Sequence, residues 1–396
     1  MEKVDKRKWW NQLDGNWKNV FDNYSIAEAT DDDLQKIFGW QELYCSGHQI
    51  TDLEPLRALT NLKGLYCDVN KISNLEPLRA LTNLQVLTCY YNPISDLEPI
   101  RDLTNLRLLK FSSDQIKDLE PISALTNLRE LICVRNQSRT SLLTSLEPLR
   151  NLSNLQVLRC SGNKINDLEP LCALTNLHIL QCQYNSISDL EPLRALTNLQ
   201  TLDCGSNNFS DLEPLRALTN LQELNCSNSQ LSDLEPLRAL TNLQKLNCSN
   251  SQLSDLEPLR ALTNLQELHC DGNQIRNLEP LRALTNLQTL YCRQNQLSDL
   301  EPLSLLTNLQ TLDCRQNQLS DLEPLSLLTN LQTLDCRQNQ LSDLKPLRAL
   351  TNLRKLIYEI SDLELLRTVN LNKKKWQKLS GDDLCLDDNL ELGDEL

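Results

Sequence analysis

The sequence predicts an α/β repeat solenoid, in which the chain winds into short coils that stack on one another. Thirteen of the 15 cysteines recur at intervals of 22 residues, apart from one interval of 44 and one of 27. Fourteen of the 15 prolines follow the same period. A period of this length through most of a 396-residue chain indicates one repeat array rather than two or three ordinary globular domains.

Each repeat combines a short strand pattern with a tighter return segment. In one unit, Leu334 and Cys336 alternate as inward-facing strand residues, and leucines then recur every three residues from Leu344 to Leu350. A single coil buries too little apolar surface to offset the conformational entropy of ordering its 22 residues. We therefore expect the coils to stack, with their strands aligned as a parallel sheet.

The repeat resembles the leucine-rich repeat, through the pattern Leu-x-x-Leu-x-Cys-x-x-Asn-x-Leu that begins at Leu331. Its 22-residue length and its Asp-Leu-Lys-Pro-Leu return from Asp343 look like the internalin class and the related protein-phosphatase-regulator class. The resemblance covers about four fifths of the chain and implies 15 strand-bearing units. It also implies a horseshoe or arc, with a parallel β-sheet on the concave face and 3₁₀ or short helical returns on the convex face.

The ends of the chain depart from the repeat. Trp9, Trp10 and Trp17 fall on one helical stripe, and Thr30 begins a second helical pattern. We predict a helical N-terminal cap at 1–39, a solenoid at 40–366 and a C-terminal segment with an acidic, disordered tail at 367–396. A five-residue insertion is placed within 137–145, at the edge between strand and return.

The cysteine column invites a metal or redox interpretation, but a column of small buried side chains is favoured. Phe111 and Tyr358 replace the cysteine in two units, and a column of metal ligands would not accept phenylalanine. His48, His178 and His269 lie in distant repeats, so they form no catalytic or metal-binding set. The sequence predicts no enzyme, no cofactor and no metal site.

A column of asparagines follows the strands, and its amides are expected to bond the backbone of neighbouring coils. His48, Asp114, Ser229 and Ser251 interrupt it, so we predict a weaker stack at the two consecutive serines. The column consists of Asn70, Asn92, Asn136, Asn163, Asn185, Asn207, Asn273, Asn295, Asn317 and Asn339.

Charge and hydropathy limit the classes of partner. The net charge of −14 argues against nucleic acid, which is bound by clustered Lys and Arg. The sequence has neither an apolar run long enough to cross a membrane nor the apolar stretch of a secretory signal. We expect a cytoplasmic protein that contacts no membrane, with non-classical export left open.

Specificity is expected at the variable outward positions on either side of each column cysteine. One group is aromatic and aliphatic: Tyr44, Tyr66, Tyr90, Tyr91, Ile132 and Val134. The other group contains Arg293, Arg315 and Arg337 beside two aspartates, in nearly identical consecutive repeats. Exposed tyrosines are common interface anchors, whereas the arginines and aspartates also fit a self-neutralising ladder.

These features predict a monomeric, non-catalytic scaffold for protein–protein interaction that binds a protein or peptide on its concave face. Three alternatives remain open: a phosphatase-regulatory subunit, an internalin-like exported effector that binds a host protein, and a structural repeat array without a dedicated partner. Fold resemblance does not separate them, because function depends on the sites that a fold carries.

Overall fold

The computed structural model describes residues 5–26, 29–135, 142–358, 376–379 and 383–386. The chain divides into two compact units, Met1–Asn207 (unit 1) and Asn208–Leu396 (unit 2). Most of the predicted insertion lies outside the described residues, as do Asn136 of the predicted asparagine column and most of the predicted C-terminal segment. The domain boundaries at 39 and 366 stay predictions.

Unit 1 begins with three short helices, so the tryptophan stripe is divided between two helices rather than lying on one. Asp5 and Asp14 each cap a helix by accepting a hydrogen bond from a backbone N–H three residues later, at 3.0 and 2.8 Å. Thr30 and Asp33 form a capping box on the third. The helices are α1 (Lys6–Asn11), α2 (Gly15–Asp22) and α3 (Asp31–Ile37).

Two tryptophans attach these helices to the first coil. The indole Nε1 of Trp9 donates to the carbonyl oxygen of Pro55 at 2.9 Å, and that of Trp17 donates to Asp52 O at the same distance. Phe21 lies fully buried between them. The apolar bodies of the tryptophans are therefore buried while their only polar atoms remain hydrogen-bonded.

The strands of unit 1 form a parallel sheet in which each residue pairs with its repeat equivalent. Leu43 pairs with Leu65, and Leu65 with Leu87, at the 22-residue spacing of the sequence. The strands are β1 (Glu42–Tyr44), β2 (Gly64–Tyr66), β3 (Val86–Cys89), β4 (Leu108–Ser112), β5 (Glu130–Val134), β6 (Val157–Arg159), β7 (Ile179–Gln181) and β8 (Thr201–Asp203).

The return segments of unit 1 are 3₁₀ helices, which confirms the prediction from the resemblance. Pro55 occupies the first turn of the first one, where its missing N–H costs nothing, and Asp52 accepts a hydrogen bond from Glu54 N at 2.8 Å. The seven described here are Glu54–Ala58, Glu76–Ala80, Glu98–Ile100, Glu120–Ile122, Glu147–Leu149, Glu169–Leu171 and Glu191–Leu193.

Unit 2 repeats the parallel arrangement, for example with Leu268 paired with Leu290. Its parallel strands are β9 (Glu223–Asn225), β10 (Lys245–Asn247), β11 (Glu267–His269), β12 (Thr289–Tyr291), β13 (Thr311–Asp313), β14 (Thr333–Asp335) and β15 (Lys355–Ile357). Its 3₁₀ helices are Glu213–Leu215, Glu235–Ala239, Glu257–Ala261, Glu279–Ala283, Glu301–Leu303, Glu323–Leu327 and Lys345–Ala349.

Two further strands of unit 2, β16 (Trp376–Leu379) and β17 (Asp383–Leu386), lie within the predicted tail. β17 pairs antiparallel with β15, and β16 pairs antiparallel with β17. The sequence analysis does not predict these strands, because they carry no trace of the 22-residue period.

The core of most coils consists of leucines, one cysteine and, in several coils, an isoleucine. All 13 column cysteines are buried free thiols, and Cys172, on a return segment, is half-buried. Burial raises the pKa of Cys45, Cys133 and Cys248 to about 12, so these thiols are protonated at neutral pH. The prediction of a buried column is confirmed.

The asparagine column bonds successive coils together. In unit 2, Asn295 Nδ2 donates to the carbonyl oxygens of Cys270 and Cys292 at 3.0 and 3.1 Å, while its Oδ1 accepts from Ile275 N at 3.0 Å. At the interruption, Ser251 Oγ is buried and has no hydrogen-bond partner among the described residues. The structural role of the column is confirmed.

A second asparagine ladder, which the sequence analysis missed, lies on the return side. In unit 2, Asn330 Nδ2 donates to the carbonyl oxygen of Thr307 in the preceding coil at 2.9 Å. Equivalent bonds of Asn83 to Thr60 and of Asn105 to Thr82 join coils of unit 1. The Leu-Thr-Asn-Leu stretch of each repeat is the signal that predicts this ladder.

Candidate protein-binding surface

The strand surface is formed by outward-facing side chains that alternate with the buried leucine and cysteine of each strand. In β1, Leu43 is fully buried, whereas Glu42 and Tyr44 on either side of it are exposed. Each strand thus presents a residue three before the cysteine and residues just before and just after it. The sequence analysis considered only the latter two rows.

Tyr44 and Tyr66 form a stacked pair on β1 and β2. Their ring centroids lie 4.4 Å apart with an interplanar angle of 4°, because parallel register places the two residues side by side. Tyr44 is 53% exposed, and its hydroxyl donates to Glu42 Oε2 at 2.8 Å. That hydrogen bond, above all, raises the pKa of Tyr44 to about 12.

Tyr90 and Tyr91 form a second pair with an edge-to-face contact, at 4.6 Å and 72°. Lys110 Nζ lies 4.8 Å from the Tyr90 ring centroid and 3.6 Å from Asp68 Oδ2. One face of Tyr90 is therefore already occupied by an internal cation–π contact, which is balanced by a nearby carboxylate.

The predicted aromatic group is arranged as two pairs. Thr88 is the residue on β3 that pairs in register with Tyr66, and Tyr90 and Tyr91 follow this strand. Ile132 and Val134 lie half-buried on β5, two strands beyond β3. Tyrosine and aliphatic positions therefore share the strand surface of unit 1 without forming one aromatic cluster.

A third row in unit 1 adds aliphatic side chains that sequence reasoning missed. Val86 pairs in register with Leu108, and Val157 pairs with Ile179, all four outward-facing and half-buried. Their alternation with the buried leucine of each strand identifies them as outward-facing. They were missed because apolar residues in a leucine-rich stretch look like core residues.

The same row in unit 2 is polar. Its members are Glu223, Lys245, Glu267, Thr289, Thr311, Thr333 and Lys355. Lys245 Nζ pairs with Glu223 Oε1 at 2.8 Å, which neutralises two of these charges. Aliphatic side chains in this row are therefore a property of unit 1.

The three predicted arginines of unit 2 are engaged by aspartates. Arg337 makes two hydrogen bonds to the Asp335 carboxylate at 2.7 and 3.0 Å, and Arg315 Nη1 lies 3.4 Å from Asp335 Oδ2. Arg293 Nε lies 3.8 Å from Asp271 Oδ1. This geometry favours the interpretation of the group as a self-neutralising ladder.

Asp313 of this ladder has a raised carboxyl pKa. Burial, together with the negative charge of Asp335, raises its pKa to about 6, although its Oδ2 lies 3.2 Å from Arg315 Nε. Nearby, the rings of His269 and Tyr291 stack at 4.5 Å, a contact that the sequence analysis did not predict.

The turns that follow the strands hold bulky residues in the left-handed backbone region. Val69, Tyr91 and Tyr184 have φ values of 56°, 55° and 57°, and their side chains are exposed. In unit 1, a groove of about 700 Å³ runs beside two of them and is also lined by Lys71 and Pro93. Apolar side chains at such positions cost backbone strain and stay largely in water.

The described residues show neither a metal-binding group nor a membrane span. Among them, no three His, Cys, Asp or Glu side chains come together in a way that could hold a metal ion. Within the same residues, no helix has the length and apolar composition needed to cross a membrane.

Comparison with known proteins agrees with the stacked coils described above. A family model described as leucine-rich repeats in two copies matches residues 41–80, 82–124, 153–195, 175–217, 197–239, 219–261, 241–283 and 285–327. The chain belongs to the leucine-rich repeat family. A search of curated proteins finds no match to this leucine-rich repeat protein.

Solved structures with the same fold include bacterial leucine-rich repeat proteins. An internalin, InlF of Listeria monocytogenes, is 27% identical with a TM-score of 0.68, covering 87% of this chain and 94% of its own. A leucine-rich repeat protein of Leptospira interrogans is 27% identical with a TM-score of 0.74, covering 82% and 86%.

A third solved structure is the functional domain of InlJ from Listeria monocytogenes, described as including a cysteine ladder. It is 26% identical with a TM-score of 0.72, covering 89% of this chain and 80% of its own. The fold of this leucine-rich repeat protein is one typical of protein–protein interaction domains, and nothing in the comparisons points to catalysis.

Proposed function

We propose that this protein is a non-catalytic scaffold that binds a protein or peptide on the strand surface of unit 1. The single observation that carries the proposal is the contrast between the outward rows of the two units. In unit 1, the row three before the cysteine holds aliphatic side chains such as Leu108 and Val157, whereas the same row in unit 2 is polar throughout. Tyr44, Tyr66 and Ile132 add to this surface of unit 1 in the row just before the cysteine.

Energetic considerations support this location. Tyrosines are enriched among the residues that contribute most to binding, because they bury a large rigid surface at a low cost in conformational entropy. The Tyr44–Tyr66 pair is held by stacking and by the Glu42 hydrogen bond. Two partly exposed rings are therefore ordered before any partner arrives.

The test compares capture of partners by three forms of the full chain. Wild type is compared with Tyr66→Ala plus Tyr90→Ala and with a control, Thr289→Ala plus Thr311→Ala, which alters the strand surface of unit 2. Proximity labelling or pulldown should lose specific partners in the tyrosine variant and retain them in the control. Equal capture by all three forms would remove the tyrosine positions from the proposed surface.

The identity of the captured protein separates the remaining alternatives. Recovery of a phosphatase would favour a regulatory subunit, and recovery of a host protein would favour an internalin-like effector. The 27% identity to an internalin supports the second alternative, which also requires the protein outside the cell. Fractionation of the producing cells and their medium tests that requirement and the predicted cytoplasmic location.

A further inference from the structure

Two exposed leucines distinguish consecutive return segments of unit 2 from the others. Leu305 is 53% exposed and Leu327 is 61% exposed. Most other coils carry alanine at this position, for example Ala261 and Ala283. Because Asn330 bonds the carbonyl oxygen of Thr307, the two coils are stacked in register and the leucines are direct neighbours on the return side.

The same two coils lack the arginine that neutralises most of the other return segments. In the coil of β10, Arg260 Nε lies 2.7 Å from Glu257 Oε1. In the coils of β12 and β13, serine takes the place of this arginine, and the serine hydroxyls lie 3.4 Å from the carboxylates of Glu301 and Glu323. A long hydrogen bond from an uncharged donor thus replaces an ion pair, and the carboxylate charge is left without a neighbouring positive charge in its return segment.

Two more carboxylates flank the leucines. Asp299 Oδ1 and Asp321 Oδ1 accept hydrogen bonds from Glu301 N and Glu323 N, both at 2.8 Å. Each of the two coils therefore presents two acids and no base in its return segment. We call the surface formed by Asp299, Glu301, Leu305, Asp321, Glu323 and Leu327 the acidic leucine patch.

We propose that the acidic leucine patch docks a basic amphipathic helix of a partner protein. Coils stack at about 4.8 Å, and residues four apart on a helix lie about 5–6 Å apart. A helix lying along the stack can therefore place two successive apolar side chains on Leu305 and Leu327. Lysines and arginines beside that apolar stripe face the four carboxylates.

Other occupants fit less well. Anionic lipids would be repelled by the four carboxylates, and a second copy of the patch would place like charges together. An added β-strand is disfavoured because Thr307 O, at the boundary between the two coils, already accepts the hydrogen bond of Asn330. A helix that docks through side chains needs no free backbone groups.

The probe is a fluorescent peptide of leucine and lysine in an amphipathic helical pattern, titrated with the full chain and followed by fluorescence anisotropy. One variant, Leu305→Ala plus Leu327→Ala, restores the alanine of the other coils. A second variant, Ser304→Arg, restores the Glu–Arg pair. Both put repeat-typical residues at these positions, and circular dichroism checks that the fold is kept.

The chain offers a matched control for the added charge. Ser123 also replaces arginine, but its coil carries Ala124 rather than leucine. We expect Ser304→Arg and the double alanine variant each to weaken binding about tenfold, whereas Ser123→Arg and Tyr66→Ala leave it within about twofold. Because Tyr66→Ala alters the other surface, failure here is distinguishable from failure of the proposed function.

Three results would overturn the proposal. They are an absence of binding by wild type, equal affinities across all four variants, and equal binding of a peptide with glutamate in place of lysine. Preferential binding of phosphatidylserine vesicles, or dimerisation lost in the double alanine variant, would assign the patch to a different occupant and overturn it as well.

Discussion

Asn295 donates its side-chain amide to the carbonyl oxygen of Cys270 in the preceding coil at 3.0 Å. The same amide also bonds Cys292 of its own coil, and its carbonyl oxygen accepts from Ile275 N. The amide also lies 3.1 Å from Arg293 O, so one side chain bonds four backbone groups, and three of these bonds are buried. Loss of any one of these bonds leaves a buried polar group unpaired.

The interruption of the asparagine column at Ser251 predicts that restoring asparagine there stabilises the protein. We expect Ser251→Asn to raise the free energy of unfolding, because the buried Ser251 hydroxyl has no partner and asparagine restores the bonds of the other coils. The reciprocal change, Asn295→Ser, should lower it by about 2 kcal/mol. Urea unfolding measures both, and a destabilised Ser251→Asn variant would contradict the prediction.

The left-handed turn of unit 1 predicts that removal of a side chain is stabilising. Val69 has φ 56° and is 56% exposed, so Val69→Gly relieves backbone strain while losing little burial. We expect a gain of about 1 kcal/mol in thermal or denaturant unfolding. Gly272→Ala is the contrasting variant, because alanine at the φ of 61° introduces the backbone strain that Val69→Gly removes, so we expect it to lower stability.

The raised pKa of Asp313 predicts a pH-dependent effect of its replacement. Between about pH 4 and the folded pKa of about 6, the folded chain binds a proton that the unfolded chain does not, so this carboxylate reduces stability as pH rises. The stability of Asp313→Asn relative to wild type should therefore increase from about pH 4 to about pH 7. Urea unfolding of both proteins measures this difference, and a difference that stays constant from about pH 4 to about pH 7 would contradict the prediction.

Buried thiols predict slow chemical modification of the native protein. Burial raises the pKa of column thiols such as Cys45, whereas Cys172 is half-buried on a return segment. Titration with a thiol reagent should detect one or two reactive cysteines before unfolding and all 15 afterwards. Cys172→Ser should remove one of them, and ten reactive thiols in the native state would refute the buried column.

The sequence predicts the repeated features of the fold because these depend only on neighbouring coils. The 22-residue period predicts the strands and the burial of Cys336 and its equivalents, and the family resemblance implies the 3₁₀ returns. The geometry of side-chain contacts is harder to predict from the sequence. The row position predicts that Tyr44 lies beside Tyr66, but neither the stacked orientation nor the Lys110–Tyr90 contact follows from spacing.

Features that break the period are those that the sequence does not predict. Val69, Tyr91 and Tyr184 occupy a turn position that most other coils fill with glycine, serine, asparagine or glutamine. Valine and tyrosine rarely adopt left-handed backbone, so these residue types do not indicate the turn. The strands β16 and β17 lack any repeat equivalent. Leu108 in the outward row resembles the buried leucines around it unless strand alternation is followed strictly.

The two asparagine ladders give the protein a modular growth rule. Most coils are bonded to the preceding one by side-chain amides, as Asn295 is to Cys270 and Asn330 is to Thr307, so a duplicated segment brings its own connections with it. Residues 303–324 and 325–346 differ only at Glu323 and Lys345, as a tandem copy would. Copying one segment therefore lengthens the stack and turns one exposed leucine into two neighbouring ones. A single duplication thus both extends the molecule and creates a new surface.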